Sequence, residues 1–424
     1  MREMKDSGIS WVGEIPKEWS VKKIKHISHV IGGNGFNVEL QGLESGDYPF
    51  CKASDISNAG KYLDKAANYV TFDIVRDQHY NIIPKGAILF PKIGEAMKKN
   101  NRTICVLDCC ADNNCQAIVP FERNSGMFLY YILTCVNMGW FDNAGTIPCM
   151  NNRKFLNSKV PFPSLAEQQR IAEFLDRECG KIDGLKADIQ AQIDTLEQYK
   201  RSVITEAVTH GLNPSAPMKD SGAGWMPLIP SHWKADKLKF HLRQRGIKNQ
   251  IDKQVLSLYR EYGIVPKDSR DDNHNVTSED VSDYRYVRVG DFVVNKMKAW
   301  QGSVAVSNYE GIVSPAYFVY EFSDDLINKR YFHYLMRNKT YATEFRRLSG
   351  GIREGQWDLP SEALNNTIIL LPPFVEQQEI ADYLDNKCAE IEQIIADKKS
   401  QIETLDGYKK SLIYEYVTGK KEVG

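Results

Sequence analysis

The sequence lacks the features that mark membrane and secreted proteins. No window approaches the 18 uninterrupted apolar residues that a membrane-spanning helix needs, and the start, MREMKDSGIS, has no apolar signal-peptide core. The nine cysteines are an odd number at irregular spacing, which favours reduced thiols over a disulfide framework. We therefore expect a cytoplasmic protein with no membrane partner.

Catalytic signatures are also missing from the sequence. There is no G-x-x-x-x-G-K-[ST] phosphate loop, no Asn-Pro-Pro-aromatic run, no H-E-x-x-H, and no P-D ahead of an E-x-K. GGNGF at 32–36 lacks the third glycine of a dinucleotide-binding turn. Cys105, Cys109, Cys110 and Cys115 contain no C-x-x-C pair, so thiols are favoured over a zinc site. The sequence predicts no catalytic residues, no metal site and no cofactor bound by this chain.

What the sequence does contain is a duplication. MKDSGISWVGEIPKEWSVKKIK at 4–25 returns as MKDSGAGWMPLIPSHWKADKLK at 218–239. PSLAEQQRIAEFLDRECGKID, from Pro163, returns as PPFVEQQEIADYLDNKCAEIE, from Pro372. The order is therefore globular, helical, globular, helical, in repeats of about 210 residues that are much longer than those of solenoid proteins.

Each helical segment carries apolar residues at spacings of 3 and 4, the pattern of a long amphipathic helix with a narrow seam. The predicted seams are Leu175, Cys179, Ile182, Lys186, Ile189, Ile193, Leu196, Lys200, Val203 and Ala207 in the first copy, and Leu384, Cys388, Ile391, Ile395, Lys398, Ile402, Leu405, Lys409, Leu412 and Tyr416 in the second. A helix of about 45 residues extends roughly 65 Å, too far to bury itself in one domain. Antiparallel pairing of the two helices is the favoured interpretation, and two independent helices that cover their own domains are the alternative.

Charge is distributed unevenly although the net charge is only -1. Residues 165–209 carry 6 basic and 9 acidic side chains, and residues 374–417 carry 5 and 10. The globular segments are mildly basic, with 19 basic against 16 acidic residues over 1–164 and 22 against 19 over 210–373. This distribution permits nucleic-acid binding by the globular segments.

The globular segments contain short β-like runs followed by helical stretches. Strands are predicted at 82–94, 102–108 and 116–121 with a helix at 126–141, and at 286–297 and 303–322 with a helix near 329–348. The predicted fold class is α+β, with two tandem globular domains, each followed by a long helix, and the two helices pairing as an antiparallel coiled coil. Trp11, Trp19, Trp225 and Trp233 are expected in the core, because they occupy matching places in both copies of the repeat.

Several motifs together resemble the specificity subunit of type I restriction-modification systems. They are the duplicated W-x3-IP-x2-W opening, NKMKAWQG, GIVSPAYFVY, the Gly-containing loops, and P-x3-EQQ-x-I-A-x2-L-D ahead of each helix. The resemblance covers essentially the whole chain. It implies target-recognition domains at 1–162 and 212–371, helices at 163–211 and 372–420, and a bipartite double-stranded DNA target with one half read by each domain.

The resemblance also implies partners. The helices would set the spacer between the half-targets and dock two methyltransferase subunits, which restriction/translocase subunits then join. S-adenosylmethionine, ATP and Mg are expected in those partner subunits. Adenine-N6 methylation and restriction would therefore be partner activities.

DNA contacts are expected in loops, where Lys and Arg neutralise phosphates and Asn, Gln or Arg reach base edges. The predicted DNA-binding residues are Lys92, Lys98, Lys99, Asn100, Asn101, Arg102, Asn151, Asn152, Arg153 and Lys154 in the first domain, and Lys296, Lys298, Trp300, Gln301, Arg346, Arg347, Arg353 and Gln356 in the second. Residues 98–102 are expected in one flexible turn. For any single basic residue, a solvated surface charge is the alternative.

Two rival functions stay open at this stage. One is a structural adaptor whose globular domains bind protein, and the other is the recognition fragment of a fused restriction-methylation enzyme. Salt-dependent DNA affinity separates the DNA-binding protein from the adaptor, because neutralised phosphates release counterions. The missing catalytic motifs argue against activity in this chain.

Overall fold

A computed structural model describes residues 2–260, 262–269, 277–351 and 357–423 of the chain. The chain divides into two compact units. Unit 1 comprises Met1–Ile189 and Ser400–Gly424, and unit 2 comprises Gln190–Lys399. Each unit therefore contains one globular region together with a segment of each long helix.

Unit 1 has the mixed composition expected of an α+β region. Its strands are β1 (Met4–Asp6), β2 (Glu14–Pro16), β3 (Ser20–Lys23), β4 (Ser28–Gly32), β5 (Tyr48–Cys51), β6 (Tyr62–Leu63), β7 (Tyr69–Val70), β8 (Ile88–Pro91), β9 (Thr103–Cys105), β10 (Cys110–Ala111), β11 (Cys115–Pro120) and β12 (Lys159–Phe162). Its helices are α1 (Ala53–Asn58), α2 (Phe72–Gln78), α3 (Glu95–Lys98), α4 (Gly126–Thr134), α5 (Asn152–Asn157) and the start of α6 (Leu165–His210).

A five-stranded sheet in the order β4-β11-β8-β9-β6 forms the centre of unit 1. Side chains alternate across it because successive residues of a strand face opposite sides. Ile88 and Phe90 pack in a cluster with Phe128 of α4, whereas Leu89 packs in a second cluster with Ile56 of α1. The sheet is thus covered by a helix on each face.

Unit 2 repeats this plan with fewer strands in its main sheet. Its strands are β13 (Met218–Asp220), β14 (Leu228–Pro230), β15 (Lys234–Lys237), β16 (Leu242–Arg245), β17 (Leu256–Tyr259), β18 (Gly263–Pro266), β19 (Arg285–Val287), β20 (Phe292–Asn295), β21 (Val304–Val306), β22 (Gly311–Val313), β23 (Tyr317–Phe322) and β24 (Ile368–Leu371). Its helices are α7 (Lys329–Arg337), α8 (Lys339–Leu348), α9 (Ser361–Asn365) and the start of α10 (Phe374–Val417).

The main sheet of unit 2 has the order β16-β23-β20-β21, which corresponds to β4-β11-β8-β9 in unit 1. Other pairings repeat as well: β1 with β2 corresponds to β13 with β14, and β3 with β12 corresponds to β15 with β24. The duplication seen in the sequence is therefore a duplication of topology.

The tryptophans expected in the core fall into two groups. Trp19 and Trp233 are almost completely buried, with exposed fractions of 1% and 0%. Trp11 and Trp225 are half-buried and pack against the core from outside. The core assignment is confirmed for the second tryptophan of each motif, and the first lies at the edge of the core.

Several predicted elements are shorter or divided in the structure. The predicted strand at 286–297 is two strands, β19 and β20, because Gly290 turns the chain with a φ of 87°. The predicted helix near 329–348 is also two helices, since the Asn338 side chain accepts hydrogen bonds from the backbone N–H groups of Thr340 and Tyr341 and so starts α8. The helical pattern of apolar residues continues through Asn338 in the sequence, but the capping hydrogen bonds of its side chain end one helix and begin the next.

The two long helices pair antiparallel within unit 1. Lys409 of α10 donates to Asp183 of α6 at 2.7 Å, and Lys186 donates to Asp406. Residue numbers therefore increase along α6 while those of their partners decrease along α10, as antiparallel pairing requires. The seam residues Leu175, Cys179, Ile182 and Leu412 are buried there in the same cluster as Trp19, and Leu405 and Tyr416 pack against it partly buried.

Within unit 2 the pairing is antiparallel too. Lys200 of α6 donates to Glu392 of α10, and Lys398 donates to Gln192 at 2.5 Å. The seam residues Leu384, Cys388 and Ile391 are buried, while Leu196, Val203 and Lys398 are half-buried. All four lysines of the predicted seams thus reach a polar side chain on the other helix, which explains why the apolar pattern is interrupted at those positions.

The two interpretations of the helices are both partly realised. They pair, as predicted, but their ends also complete the globular cores: Leu412 joins the core of unit 1, and Val208 and Leu384 join that of unit 2. Among the described residues, no helix has the length and apolarity to cross a membrane. The domain boundaries at 163, 212 and 372 stay predictions.

Candidate functional site

The first domain's two predicted loops meet next to β8. The backbone carbonyl of Lys92 accepts a hydrogen bond from Met150 N at 2.9 Å, and Gly94 N donates to Pro148 O at 2.7 Å. These contacts hold the segment after β8 against the segment before α5. Residues that are nearly 60 positions apart in the sequence therefore form one surface.

On that surface, α5 presents its polar side chains to solvent. The Asn151 side chain accepts a hydrogen bond from Lys154 N at 2.9 Å and caps the helix. Asn152, Arg153 and Lys154 are exposed. Asn151 therefore has a structural role, and the three exposed side chains are available for a partner.

Residues 98–101 are more ordered than a flexible turn. Lys98 ends α3 and forms an ion pair with Glu95 at 3.0 Å. Asn100 has a left-handed φ of 60°, and its side chain accepts a hydrogen bond from Met138 N at 3.0 Å. Asn101 donates to Ser57 Oγ at 3.2 Å. Lys99 is exposed.

Arg102, predicted in the same flexible turn, is buried and hydrogen-bonded. Its exposed fraction is 5%, and its guanidinium donates to the backbone carbonyls of Asn100 and Val136 at 3.2 and 3.3 Å. Burial lowers the pKa of Arg102 to about 10. This burial depends on tertiary packing against Val136, which local sequence does not show. The DNA contact of Arg102 stays a prediction.

A cleft of about 1220 Å³ lies beside this segment within unit 1. It is lined by residues 99–102, by the aromatic side chains of Trp140 and Tyr130, and by Asp183 and Lys409 of the helix pair. The negative charge of the Asp183 carboxylate is balanced by its ion pair with Lys409. The predicted first-domain residues are thus divided between this cleft and the surface next to α5.

In unit 2 the equivalent loops also meet. The backbone carbonyl of Lys296 accepts a hydrogen bond from Leu359 N at 3.0 Å, as Lys92 does from Met150. The Lys296 ammonium in addition forms an ion pair with Asp358 at 3.0 Å. Lys298 is exposed. Arg353 and Gln356 lie outside the described residues.

Aromatic side chains distinguish the unit 2 surface. Trp300 and Trp357 have ring centroids 5.7 Å apart, and the Arg346 guanidinium lies 5.8 Å from each ring. Arg347 forms an ion pair with Glu344 at 2.7 Å, and Gln301 is half-buried. Trp300 and Arg346 were among the predicted residues, but Trp357 was not, because its contact with Trp300 joins positions 57 residues apart.

A family model described as Type I restriction modification DNA specificity domain matches residues 16–195 and 247–404, which is more than half of the chain. The match covers most of both globular regions and most of both long helices.

The curated relatives are specificity subunits of type I restriction enzymes. The type I restriction enzyme MjaIX specificity subunit of Methanocaldococcus jannaschii is 30% identical over 173 residues, covering 39% of this chain and 38% of the relative. The EcoKI specificity subunit of Escherichia coli (strain K12) is 22% identical over 307 residues, covering 70% and 63%. The chain therefore aligns with less than two thirds of either relative. The putative MjaX specificity subunit of M. jannaschii is 24% identical over 444 residues, covering 97% and 96%.

A solved structure shares the fold over nearly the whole chain. It comes from work on the complex assembly and conformational transition of the type I R-M system. The TM-score is 0.66 at 13% identity, and the alignment covers 96% of this chain and 99% of that chain. At this identity the likeness concerns the fold.

Proposed function

The chain belongs to the family of type I restriction-modification DNA specificity proteins, and from this premise we propose that it reads a bipartite sequence in double-stranded DNA. Each globular region recognises one half of the target. The observation that carries this proposal is the meeting of the two predicted loops in each unit, through Met150 and Lys92 in unit 1 and through Leu359 and Lys296 in unit 2.

The chemistry of these surfaces suits DNA. The exposed side chains of Lys99, Arg153 and Lys154 in unit 1 and of Lys298 in unit 2 neutralise phosphates. Asn152 and Gln301 carry amides that can pair with base edges. Trp300 and Trp357 offer flat apolar surface beside Arg346. The different side chains of the two units support two different half-targets.

The helix pair has a separate role in this proposal. It sets the spacer between the half-targets and docks two methyltransferase subunits, to which restriction/translocase subunits bind. Its acidic composition, with 9 acidic against 6 basic residues over 165–209, disfavours phosphate contact and leaves DNA binding to the globular regions. S-adenosylmethionine, ATP and Mg act in the partner subunits, and this chain is non-catalytic.

The direct test is to express the chain in cells together with its cognate methyltransferase and to map the modified adenines. We expect one bipartite motif with a constant spacer, and no methylation when either protein is expressed alone. Methylation by the purified chain alone, supplied with methyl donor and DNA, would contradict the non-catalytic assignment.

Salt dependence of binding separates this function from an adaptor role. If the surfaces bind phosphates, log affinity of the complex for target DNA falls linearly with log salt, with a slope of about -0.9 for each neutralised phosphate. A complex that shows no DNA affinity at low salt, and no modified motif in cells, would favour a protein-binding adaptor.

A further inference from the structure

A repeated contact joins each globular region to the start of the helix that follows it. The indole N–H of Trp19 donates to Glu167 Oε2 at 3.0 Å, and that of Trp233 donates to Glu376 Oε1 at 3.0 Å. Both indoles are almost completely buried. The second tryptophan of each W-x3-IP-x2-W motif thus recognises the glutamate of each EQQ motif.

The next residue of each EQQ motif adds a second contact. Gln168 Oε1 accepts a hydrogen bond from Ser125 N at 3.0 Å, and its amide donates to Pro163 O at 3.0 Å. Gln377 accepts from Asn328 N at 2.8 Å and donates to Pro372 O at 2.9 Å. Ser125 and Asn328 are the capping residues of α4 and α7. Each glutamine therefore fixes the helix on the main sheet to the start of the long helix.

The same tryptophans also contact the end of the other long helix. Gly419 follows α10 in unit 1, and a Cβ placed on it would lie 3.1 Å from the Trp19 ring and 2.4 Å from Pro16. Gly211 follows α6 in unit 2, and a Cβ there would lie 3.2 Å from the Trp233 ring. Both glycines have positive φ, of 73° and 79°. One indole therefore holds the start of one helix and the end of its partner.

We propose that these contacts are two equivalent anchors that fix the position of each globular region along the helix pair and so determine the spacer length. The first anchor is Trp19, Glu167, Gln168 and Gly419, and the second anchor is Trp233, Glu376, Gln377 and Gly211. Their members are positioning residues, since they are buried or half-buried and none belongs to the loop surfaces. The inference rests on the proposed function, because spacer length has meaning only for a bipartite target.

The geometry explains why these groups suit the task. A buried indole N–H without an acceptor has lost its hydrogen bonds to water and gained none in return, so the anchored arrangement is strongly favoured over a shifted one. Hydrogen bonds are directional and short-ranged, unlike apolar contacts, which tolerate sliding. In each anchor, one hydrogen bond from the indole and two made by the glutamine therefore specify one position.

The test uses the complete chain in complex with its methyltransferase. Glu167→Ala and Glu376→Ala remove the acceptor of one anchor each. We expect both half-targets to stay the same while methylation at spacers one base pair longer or shorter, relative to the original spacer, rises about tenfold, as the loss of the indole hydrogen bond allows. Each substitution also removes a second contact of the glutamate, with Arg2 at 2.6 Å or with His232 at 2.8 Å. Glu167→Gln and Glu376→Gln keep an acceptor oxygen and should restore the single spacer.

Matched controls come from the same helices. Gln169 and Glu173 are exposed neighbours of the first anchor, so Gln169→Ala and Glu173→Ala should leave the spacer preference unchanged. Should the glutamate variants fail to fold, Gly419→Ala and Gly211→Ala act on the other side of the same indoles and predict the same relaxation. Circular dichroism and thermal unfolding establish which variants are folded.

The outcomes are distinct. Relaxed spacer preference in the alanine variants, with rescue by glutamine, supports the anchors. Folded alanine variants that keep the single spacer overturn the inference, even if their unfolding temperature is lower, because the contacts would then be merely stabilising. If the unmodified complex methylates no bipartite motif, the proposed function itself fails.

Discussion

Units 1 and 2 differ most where their loops meet and least where they join the helices. Tyr131 and Tyr334 donate to Asp176 and Asp385, each at 2.7 Å, so this contact is the same in both units. The loops, in contrast, place α5 on the surface of unit 1 and a Trp–Arg–Trp group on that of unit 2. The contacts that are the same in both units serve a role common to both, which is attachment to the helices. The loop surfaces differ, as expected if each unit binds a different partner sequence.

Exchange of a whole globular region is the largest change that this comparison predicts. Replacing residues 1–160 by the equivalent region of another family member should change one half-target completely and leave the other unaltered, because the two units have separate cores. Methylation mapping of the hybrid complex measures both halves at once. A change in both half-targets would show that the units do not read DNA independently.

Lengthening the helix pair should alter the spacer and neither half-target. An insertion after Val208 alone would disturb the core of unit 2, where Val208 is fully buried. Gln192 and Lys398 face each other, so seven residues inserted after Gln192 and seven after Asp397 preserve the pairing. Seven residues add about 10 Å and rotate the helix about 700°, close to two turns.

The heptad keeps the seam aligned, and 10 Å corresponds to about three base pairs at 3.4 Å each. We expect a spacer longer by about that number, read from the methylated sites. Two-residue insertions at the same points rotate each helix by about 200° and should abolish modification. An active heptad variant with the original spacer would refute a ruler made of these helices.

Acid should destabilise unit 2 through a residue that unit 1 lacks. His333 of α7 accepts a hydrogen bond from Val306 N at 3.3 Å, and burial lowers its pKa to about 4. The corresponding residue of α4 is Tyr130, whose pKa burial raises to about 12. The unfolded histidine, with a pKa of about 6.5, binds a proton before the folded one does, so stability is lost as pH falls from about 6.5 to 4.

Between pH 7 and pH 5 this linkage is worth up to about 2 kcal/mol of the free energy of unfolding. Hydrogen exchange of the β20 and β23 amides at both pH values measures it locally. His333→Gln keeps an acceptor for Val306 N but does not titrate, so its exchange should lack this part of the pH dependence. Equal pH dependence in both proteins would contradict the assignment.

The long-range organisation of this chain could be predicted from sequence because it depends on repeated local patterns. The helices α6 and α10 follow from proline-free seams with spacings of 3 and 4. The side chains that pair with Lys186 and Lys200 are harder to predict from sequence, because their identity depends on the register of the antiparallel helices. Trp19 and Glu167 were visible as repeated letters, but their hydrogen bond spans 148 positions and no local rule connects them.

The loop residues show where sequence patterns are insufficient. Arg102 and Lys99 look alike in KIGEAMKKNNR, yet one is buried against Val136 and the other is exposed. Trp357 was missed because its aromatic partner lies on a different segment. A basic residue's exposure is a property of the packed chain, so individual contacts were less predictable than the loops that contain them.

Single cation substitutions should give the smallest effects and test whether the loops of the two units bind phosphates alike. Lys99→Ala, Arg153→Ala and Lys298→Ala each remove an exposed charge. If each contacts one phosphate, the salt slope of DNA binding should fall by about one unit for every sequence tested, with the half-targets unchanged. Lys181→Ala, which removes an exposed charge from α6, is the control and should leave the slope as it is. The salt slope could stay normal in the unit 1 variants and fall only in Lys298→Ala. Removing a charge would then matter on only one of the two surfaces, and phosphate contact by these residues would be confined to unit 2.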